Sequence, residues 1–153
     1  LSYFGKSTVA IDAKGRTNLP RELRGQLPES APGRVVLAPG PAGELHVYDA
    51  PSFDAVLRNL RKGERTPERQ RLIDILTANT STCVLDEQNR ITIPSDLLKY
   101  AKLGNRVTFF GVGDRIKLMA PESAELRTSL PDASDALAQD FFASLEVYAE
   151  GDA

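Results

Sequence analysis

Two short runs rich in β-branched and apolar residues, Ser7–Ile11 and Ser81–Leu85, read as strands. Each is followed by Asp-x-x-x-Arg and then by a second short strand, Arg16–Leu19 or Arg90–Ile93. Pro20 and Pro94 end those strands and suit a first helical position. Glu22 and Asp96 follow in the first turn, where the helix dipole favours an acid, so short helices are predicted over 20–26 and 94–101. Farther on, Arg34–Ala38 and Glu44–Tyr48 flank Pro39-Gly40-Pro41-Ala42-Gly43, and Arg106–Phe110 and Arg115–Met119 flank Gly111-Val112-Gly113-Asp114. Turn residues between apolar runs predict two β-hairpins. Ala-Pro then opens a helix in each half. In the first, Phe53, Val56, Leu57 and Leu60 recur at i, i+3, i+4 and i+7. Thr66-Pro67 reads as an N-cap and N1 pair starting another helix, with Leu72, Ile73, Ile75 and Leu76 available to pack it on the core. Leu137, Phe141, Leu145 and Tyr148 line one face of an acidic C-terminal helix.

These elements come in duplicate. Shifted by 74 positions, residues 7–24 fall on 81–98 with Ser7/Ser81, Thr8/Thr82, Asp12/Asp86, Arg16/Arg90, Pro20/Pro94 and Leu23/Leu97 identical. With two or three residues of slippage the hairpins also superpose. A unit of roughly 50 residues buries little surface alone, so the two copies are expected to share one core as a pseudo-symmetric pair. The expected division is a first repeat over 7–55, a basic helical linker over 56–80, a second repeat over 81–124 and an acidic helical segment over 125–153. The fold class is α+β, mostly β, with peripheral helices.

Charge changes the picture of partners. The 153 residues carry a net charge of −2, yet residues 1–118 hold 18 Lys and Arg against 13 Asp and Glu, while 119–153 hold one Arg and eight acids. A basic working part and an acidic outer segment are expected. One cysteine, Cys83, excludes an internal disulfide and a Cys-based zinc site, and one histidine, His46, excludes a His-rich metal centre. Both lie in predicted strands and read as core or half-buried filler. No apolar run approaches the roughly 18–20 residues that span a bilayer. No basic region followed by an apolar stretch opens the chain, which argues against export.

The candidate chemistry sits in the duplicated loops. Lys14 and Arg16 flank Gly15, which takes a left-handed turn conformation at no steric cost. Asn89 holds the same place in the second loop and is the next most tolerant residue. Two cationic donors at a turn tip can reach phosphates or a groove edge, and an Arg fork matches guanine O6/N7. Against this, Asp12–Arg16 and Asp86–Arg90 can simply pair across their turns, and exposed pairs of that kind are worth only about 0–1 kcal/mol. The readings coexist if Asp12, Asp86 and Asn89 structure the loops while Lys14, Gly15, Arg16 and Arg90 face DNA. Arg21 and Arg24 on the next helix either extend the positive surface or form a solvated face. Their counterparts Ser95 and Leu98 are uncharged, which favours the first repeat for DNA. The basic run 58–71, with six Lys and Arg and two Glu, reads as a linker meeting acidic surfaces of its own or a neighbouring chain. Phe141, Phe142 and Tyr148 favour docking as the role of the acidic segment.

Asp12-Ala13-Lys14-Gly15-Arg16 with Leu19-Pro20, and Asp86-x-x-x-Arg90 with Ile93-Pro94, resemble the MraZ family of bacterial transcription regulators. Phe4-Gly5 and Val112-Gly113-Asp114-Arg115 share the likeness, which covers roughly residues 4–126. Asn89 in place of glycine, and Met119-Ala120-Pro121, depart from the family pattern. The resemblance implies two AbrB-like swapped-hairpin repeats forming a shared β-barrel core, assembled into a ring of several chains. It further implies binding to direct repeats in promoter DNA upstream of the division and cell-wall gene cluster, including the protein's own promoter. A cytoplasmic, nucleoid-associated repressor is the expectation, without cofactor, membrane partner or small-molecule substrate. Alternatives are an AbrB-type antitoxin and a ring-forming interaction protein that binds no DNA. An enzyme is not expected. No nucleophile elbow or phosphate-binding Gly loop is present, and each candidate carboxylate is coupled to an Arg that spoils it as a general acid.

Overall fold

The computed structural model describes residues 2–30 and 32–150, so the last three residues of the acidic segment lie outside it. In the first half, β1 (Lys6–Ala10) turns into β2 (Arg16–Asn18) and the short helix α1 (Arg21–Arg24). The hairpin β3 (Arg34–Pro39) and β4 (Leu45–Tyr48) follows, then α2 (Ala50–Arg61) and α3 (Pro67–Ala78). The second half repeats this order with β5 (Ser81–Val84), β6 (Arg90–Thr92), α4 (Ser95–Tyr100), β7 (Arg106–Gly111), β8 (Ile116–Met119) and α5 (Pro121–Thr128). Two further helices, α6 (Ala136–Ala143) and α7 (Leu145–Glu150), end the described chain.

Strand pairing makes the halves inseparable. The six-stranded antiparallel sheet runs β1-β7-β8-β4-β3-β5, and β2 pairs with β6 in a separate two-stranded ribbon. Each opening strand therefore lies on the other half's hairpin: Ser7 opposes Phe109, and Cys83 opposes Val35. β4 and β8 meet at the pseudo-two-fold, where His46 opposes Lys117. Leu19, Leu23, Leu37 and Val47 from the first half pack with Ile91, Ile93, Phe109 and Leu118 from the second in a single buried cluster. The protein is thus α+β and mostly antiparallel β, with two pseudo-symmetric repeats around one core.

The repeats also exchange bulk. Small Ala38 on β3 clusters with Phe53 of α2, whereas the corresponding pair in the second repeat is Phe110 with Ala124 of α5. Reciprocal large and small residues keep both sides filled at close packing.

Three helical expectations are corrected. α1 and α4 are shorter than 20–26 and 94–101, because Pro20 and Pro94 keep extended ψ values of 138° and 148° and act as N-caps. In α3, Thr66 caps as expected by accepting from the Arg69 amide, and Leu76 packs against the Val36–Tyr48–Phe53 cluster. Leu72 and Ile75, however, stay 53% and 44% exposed rather than joining the core. The acidic helix is broken at Ser144, whose hydroxyl donates to the Phe141 carbonyl at 2.6 Å and tightens the turn between α6 and α7.

A buried carboxylate fastens α5. Glu44 is 2% exposed and accepts from His46 Nε2 and Arg127 Nη1, each at 2.6 Å, with Lys117 Nζ at 3.1 Å. Burial alone would push the Glu44 carboxyl up; the hydrogen bonds from His46, Lys117 and Arg127 outweigh it and hold the group at about 2. Burial likewise holds His46 below its ordinary value, against the pull of Glu44, and its Nδ1 faces the Tyr48 hydroxyl at 3.3 Å. His46 and Glu44 therefore do structural work that the filler reading of His46 left out.

The N-terminal segment crosses the second hairpin. Tyr3 and Gly113 exchange backbone hydrogen bonds at 2.8 Å, and the Tyr3 hydroxyl donates to Asp49 Oδ2 at 2.6 Å. Asp49 also caps α2 by accepting from the Ser52 amide at 2.8 Å. A Cβ on Gly111 would stand 2.3 Å from the Tyr3 carbonyl carbon, so only glycine lets the two backbones pass.

Gly111→Ala is expected to destabilise the fold by about 1–3 kcal/mol through overpacking, read as a lower denaturation midpoint. Acid should act in two windows. The folded pKa of His46 is lowered, so stability declines as pH falls below its ordinary 6.5. The lowered pKa of Glu44 removes stability as pH falls from 4.5 towards about 2. Denaturation midpoints measured across pH should show both declines, and Glu44→Gln should shrink the lower one, to which the lowered carboxyls of Asp12, Asp49 and Asp86 also contribute.

Candidate nucleic-acid interface

The two Asp-x-x-x-Arg loops are built alike. Asp12 Oδ1 accepts from the amides of Lys14 and Arg16, both at 2.9 Å, and Oδ2 accepts from Arg16 Nε at 2.7 Å. Asp86 Oδ1 accepts from the amides of Gln88 and Arg90 at 2.8 and 2.9 Å, and Oδ2 accepts from Arg90 Nε at 2.8 Å. An aspartate bonding its own backbone two residues on is a turn-former, and the arginine four residues on completes the ring of donors. The turn needs a left-handed residue before the arginine. Gly15 has φ +80° and Asn89 φ +61°. Gly15 is constrained a second way, since a Cβ there would lie 2.8 Å from the Ile93 carbonyl oxygen.

The structure brings the loops together. Arg16, Thr17 and Asn18 oppose Thr92, Ile91 and Arg90 in the β2–β6 ribbon. The Ile93 amide donates to the Gly15 carbonyl at 2.9 Å, and the Leu19 amide donates to the Asn89 carbonyl at 3.0 Å. Arg90 Nη1 lies 3.9 Å from Asp12 Oδ2, and Asn18 Nδ2 donates to the Gln88 carbonyl at 2.7 Å. Lys14, Gly15, Arg16, Arg90, Asp12, Asp86 and Asn89 thus belong to one short ribbon, the Asp12–Arg16 loop at its Arg16–Thr92 end and the Asp86–Arg90 loop at its Asn18–Arg90 end. Lys14 is exposed, and the side chains of Arg16 and Arg90 remain 34% and 24% exposed. Arg21 is exposed on α1. Arg24 is half-buried and donates one guanidinium nitrogen to the Leu19 carbonyl at 2.9 Å.

Hydrogen bonds from the Arg16 and Arg90 amides, joined by the guanidinium contacts, hold the Asp12 and Asp86 carboxyls below the usual carboxylate range. The acids therefore stay ionised with their oxygens occupied by donors of their own loop. Each arginine is gripped at Nε, and its terminal nitrogens make no hydrogen bond to that carboxylate. Chemically this is a pair of oriented guanidinium groups beside an exposed ammonium, able to meet planar acceptors or phosphate oxygens. Among the described residues no group of three or more His, Cys, Asp and Glu is placed to hold a metal ion, and no helix is long and apolar enough to cross a membrane.

Sequence reasoning missed Asn18 and Gln88, which staple β2 to the second loop. It also missed the approach of Arg90 to Asp12. Neither leaves a local signal, because both depend on pairing across the repeats.

Asp12→Ala should leave the core intact and loosen only this loop. Hydrogen exchange is expected to quicken roughly tenfold at the Lys14 and Arg16 amides, with the Gln88 and Arg90 amides little changed.

Residues 3–75 and 76–122 each match the family model described as "MraZ protein, putative antitoxin-like". Among curated proteins, the chain is similar to the transcriptional regulator MraZ of Maridesulfovibrio salexigens, 32% identical over 143 residues, covering 91% of this chain and 95% of that one. The protein of the same name from Thioalkalivibrio sulfidiphilus is 32% identical over 117 residues, covering 76% and 78% of the two chains. That of Micrococcus luteus is 31% identical over 122 residues, covering 79% and 82%.

Proposed function

The chain belongs to the MraZ family, and from that premise we propose that it is a DNA-binding regulator of transcription, not an enzyme, that grips duplex DNA with the paired loops on the β2–β6 ribbon. The observation that carries this reading is the doubled Asp–Arg turn. Each Asp12 or Asp86 carboxylate spends itself on its own loop, so it orients an arginine instead of repelling a phosphate. Lys14, Arg16 and Arg90 then supply phosphate and base-edge contacts from one surface, while Gly15, buried against the Ile93 carbonyl, shapes the turn and does not itself face DNA. Arg21 and Arg24 extend the positive surface along α1. The proximity of Arg90 to Asp12 favours a contact made by both repeats together.

One such ribbon presents few cations and binds weakly. Several chains in a ring would repeat it at fixed spacing, and linkage raises the effective concentration of each loop over successive direct repeats in a promoter. Seated there, the assembly obstructs polymerase and represses the division and cell-wall gene cluster, its own promoter included. A cytoplasmic location on the nucleoid follows from that role. In this scheme the repeats 7–55 and 81–124 read DNA, 56–80 joins them, and 125–153 serves assembly.

Gel shifts with DNA from upstream of the protein's own coding sequence test the reading. Arg16→Ala should weaken binding by about 1–3 kcal/mol at fixed moderate salt, and Arg90→Ala should follow in the same direction. Affinity should fall steeply as salt rises, because several cations displace counterions. Unchanged affinity in both variants would sink the assignment.

A further inference from the structure

Side chains alternate along a strand, and on the β2–β6 ribbon this sends Thr17 and Ile91 into the core and Arg16, Asn18, Arg90 and Thr92 outward. Thr17 and Ile91 are buried, Asn18 and Thr92 are exposed, and both arginines are partly so. Across the ribbon Arg16 opposes Thr92, and Asn18 opposes Arg90. A two-stranded β-ribbon is one of the elements that the major groove of DNA admits.

The pseudo-two-fold passes through this face. The shift of 74 positions that superposes the repeats carries Thr17 onto Ile91, Arg16 onto Arg90 and Asn18 onto Thr92. A face symmetric about such an axis reads a DNA element and its reverse complement equally, and the two arginines are symmetric. Direct repeats have a direction, and cations that meet phosphates carry no base information. On the ribbon face the symmetry is broken at one place, where an amide at position 18 answers a hydroxyl at position 92.

Asn18 is preset for reading a base. Its Nδ2 donates to the Gln88 carbonyl at 2.7 Å, which takes one of the two amide hydrogens and orients the group. The second hydrogen and Oδ1 remain, a donor beside an acceptor, and that pair matches N7 and N6 of adenine. Gln88, the counterpart of Lys14, is also an exposed amide. Its side chain makes no hydrogen bond among the described residues, so ordering it on a base would cost rotamer freedom that Asn18 has already given up.

We propose that Asn18 reads an adenine in the major groove and that, with Thr92 in its place in the other repeat, it sets the direction in which each subunit lies along the DNA. The proposal rests on the DNA-binding role given above to the same ribbon, and adds the base that gives the contact its polarity.

Selection of bound duplexes from a random-sequence library by the full-length protein tests this. The unmodified protein is expected to enrich an element in which one A·T pair is fixed. Asn18→Ala should accept any base at that pair while keeping the other preferences, and its affinity for the original element should fall by about 5- to 150-fold. Asn18→Thr combined with Thr92→Asn should move the fixed adenine to the two-fold-related place on the opposite strand, which a loop merely loosened by loss of the Gln88 contact would not do. An enriched element without a fixed A·T pair, unchanged selection by the variants, or a loss of affinity that is uniform across sequences overturns the proposal. If Arg16→Ala still weakens binding in that case, the DNA-binding ribbon stands without this reader. Failure of the unmodified protein to enrich any sequence removes both readings.

Discussion

Strand exchange across the pseudo-two-fold is the constraint on which everything else depends. β1 finds its hydrogen-bonding partner on β7 and β5 finds its partner on β3, so neither half has a complete sheet of its own. The Asp–Arg turns are the corners where each exchanged strand folds back into the ribbon. Their geometry is therefore coupled to the pairing of the whole sheet. The two cationic tips cannot separate without breaking β2–β6 and the reciprocal Gly15–Ile93 and Asn89–Leu19 bonds. Rigid spacing of the tips is thus a by-product of how the core is closed. It is also the property a DNA-reading surface needs, since orientation determines whether a guanidinium fork meets its acceptors.

Much of this was legible in the chain. The repeat, the strand–turn–strand units, the hairpins and the left-handed places of Gly15 and Asn89 follow from local chemistry that acts within a few residues. What could not be read was anything set by pairing between distant segments. The order β1-β7-β8-β4-β3-β5 is one, and the staple from Asn18 to Gln88 is another. Leu72 and Ile75 show the same limit from the other side: their helical spacing is that of core residues, yet the sheet has no room left for them. The local pattern records that a face is apolar, and only the assembled fold says whether anything covers it.

Charge divides into two uses. At the loops, carboxylates stay near water and each is saturated by its own turn, so their role is to orient cations. At Glu44, a carboxylate is withdrawn from water altogether and balanced by His46, Lys117 and Arg127 from three different elements. The second arrangement is tolerable only because its hydrogen bonds are complete, and it fixes α5 on the body in one orientation. Net charge near neutrality conceals both arrangements, which is why the distribution of charge informed on partners and its total did not.

The fastening of α5 has a mechanical consequence. Arg127 stands one residue before the chain leaves the body, and its carboxylate partner adjoins β4, an interior strand of the sheet. A load on the C-terminal segment thereby divides between two routes: Arg127 passes it to the centre of the sheet through Glu44, and Lys6, whose Nζ donates to the Thr128 carbonyl at 3.2 Å, passes it to edge strand β1.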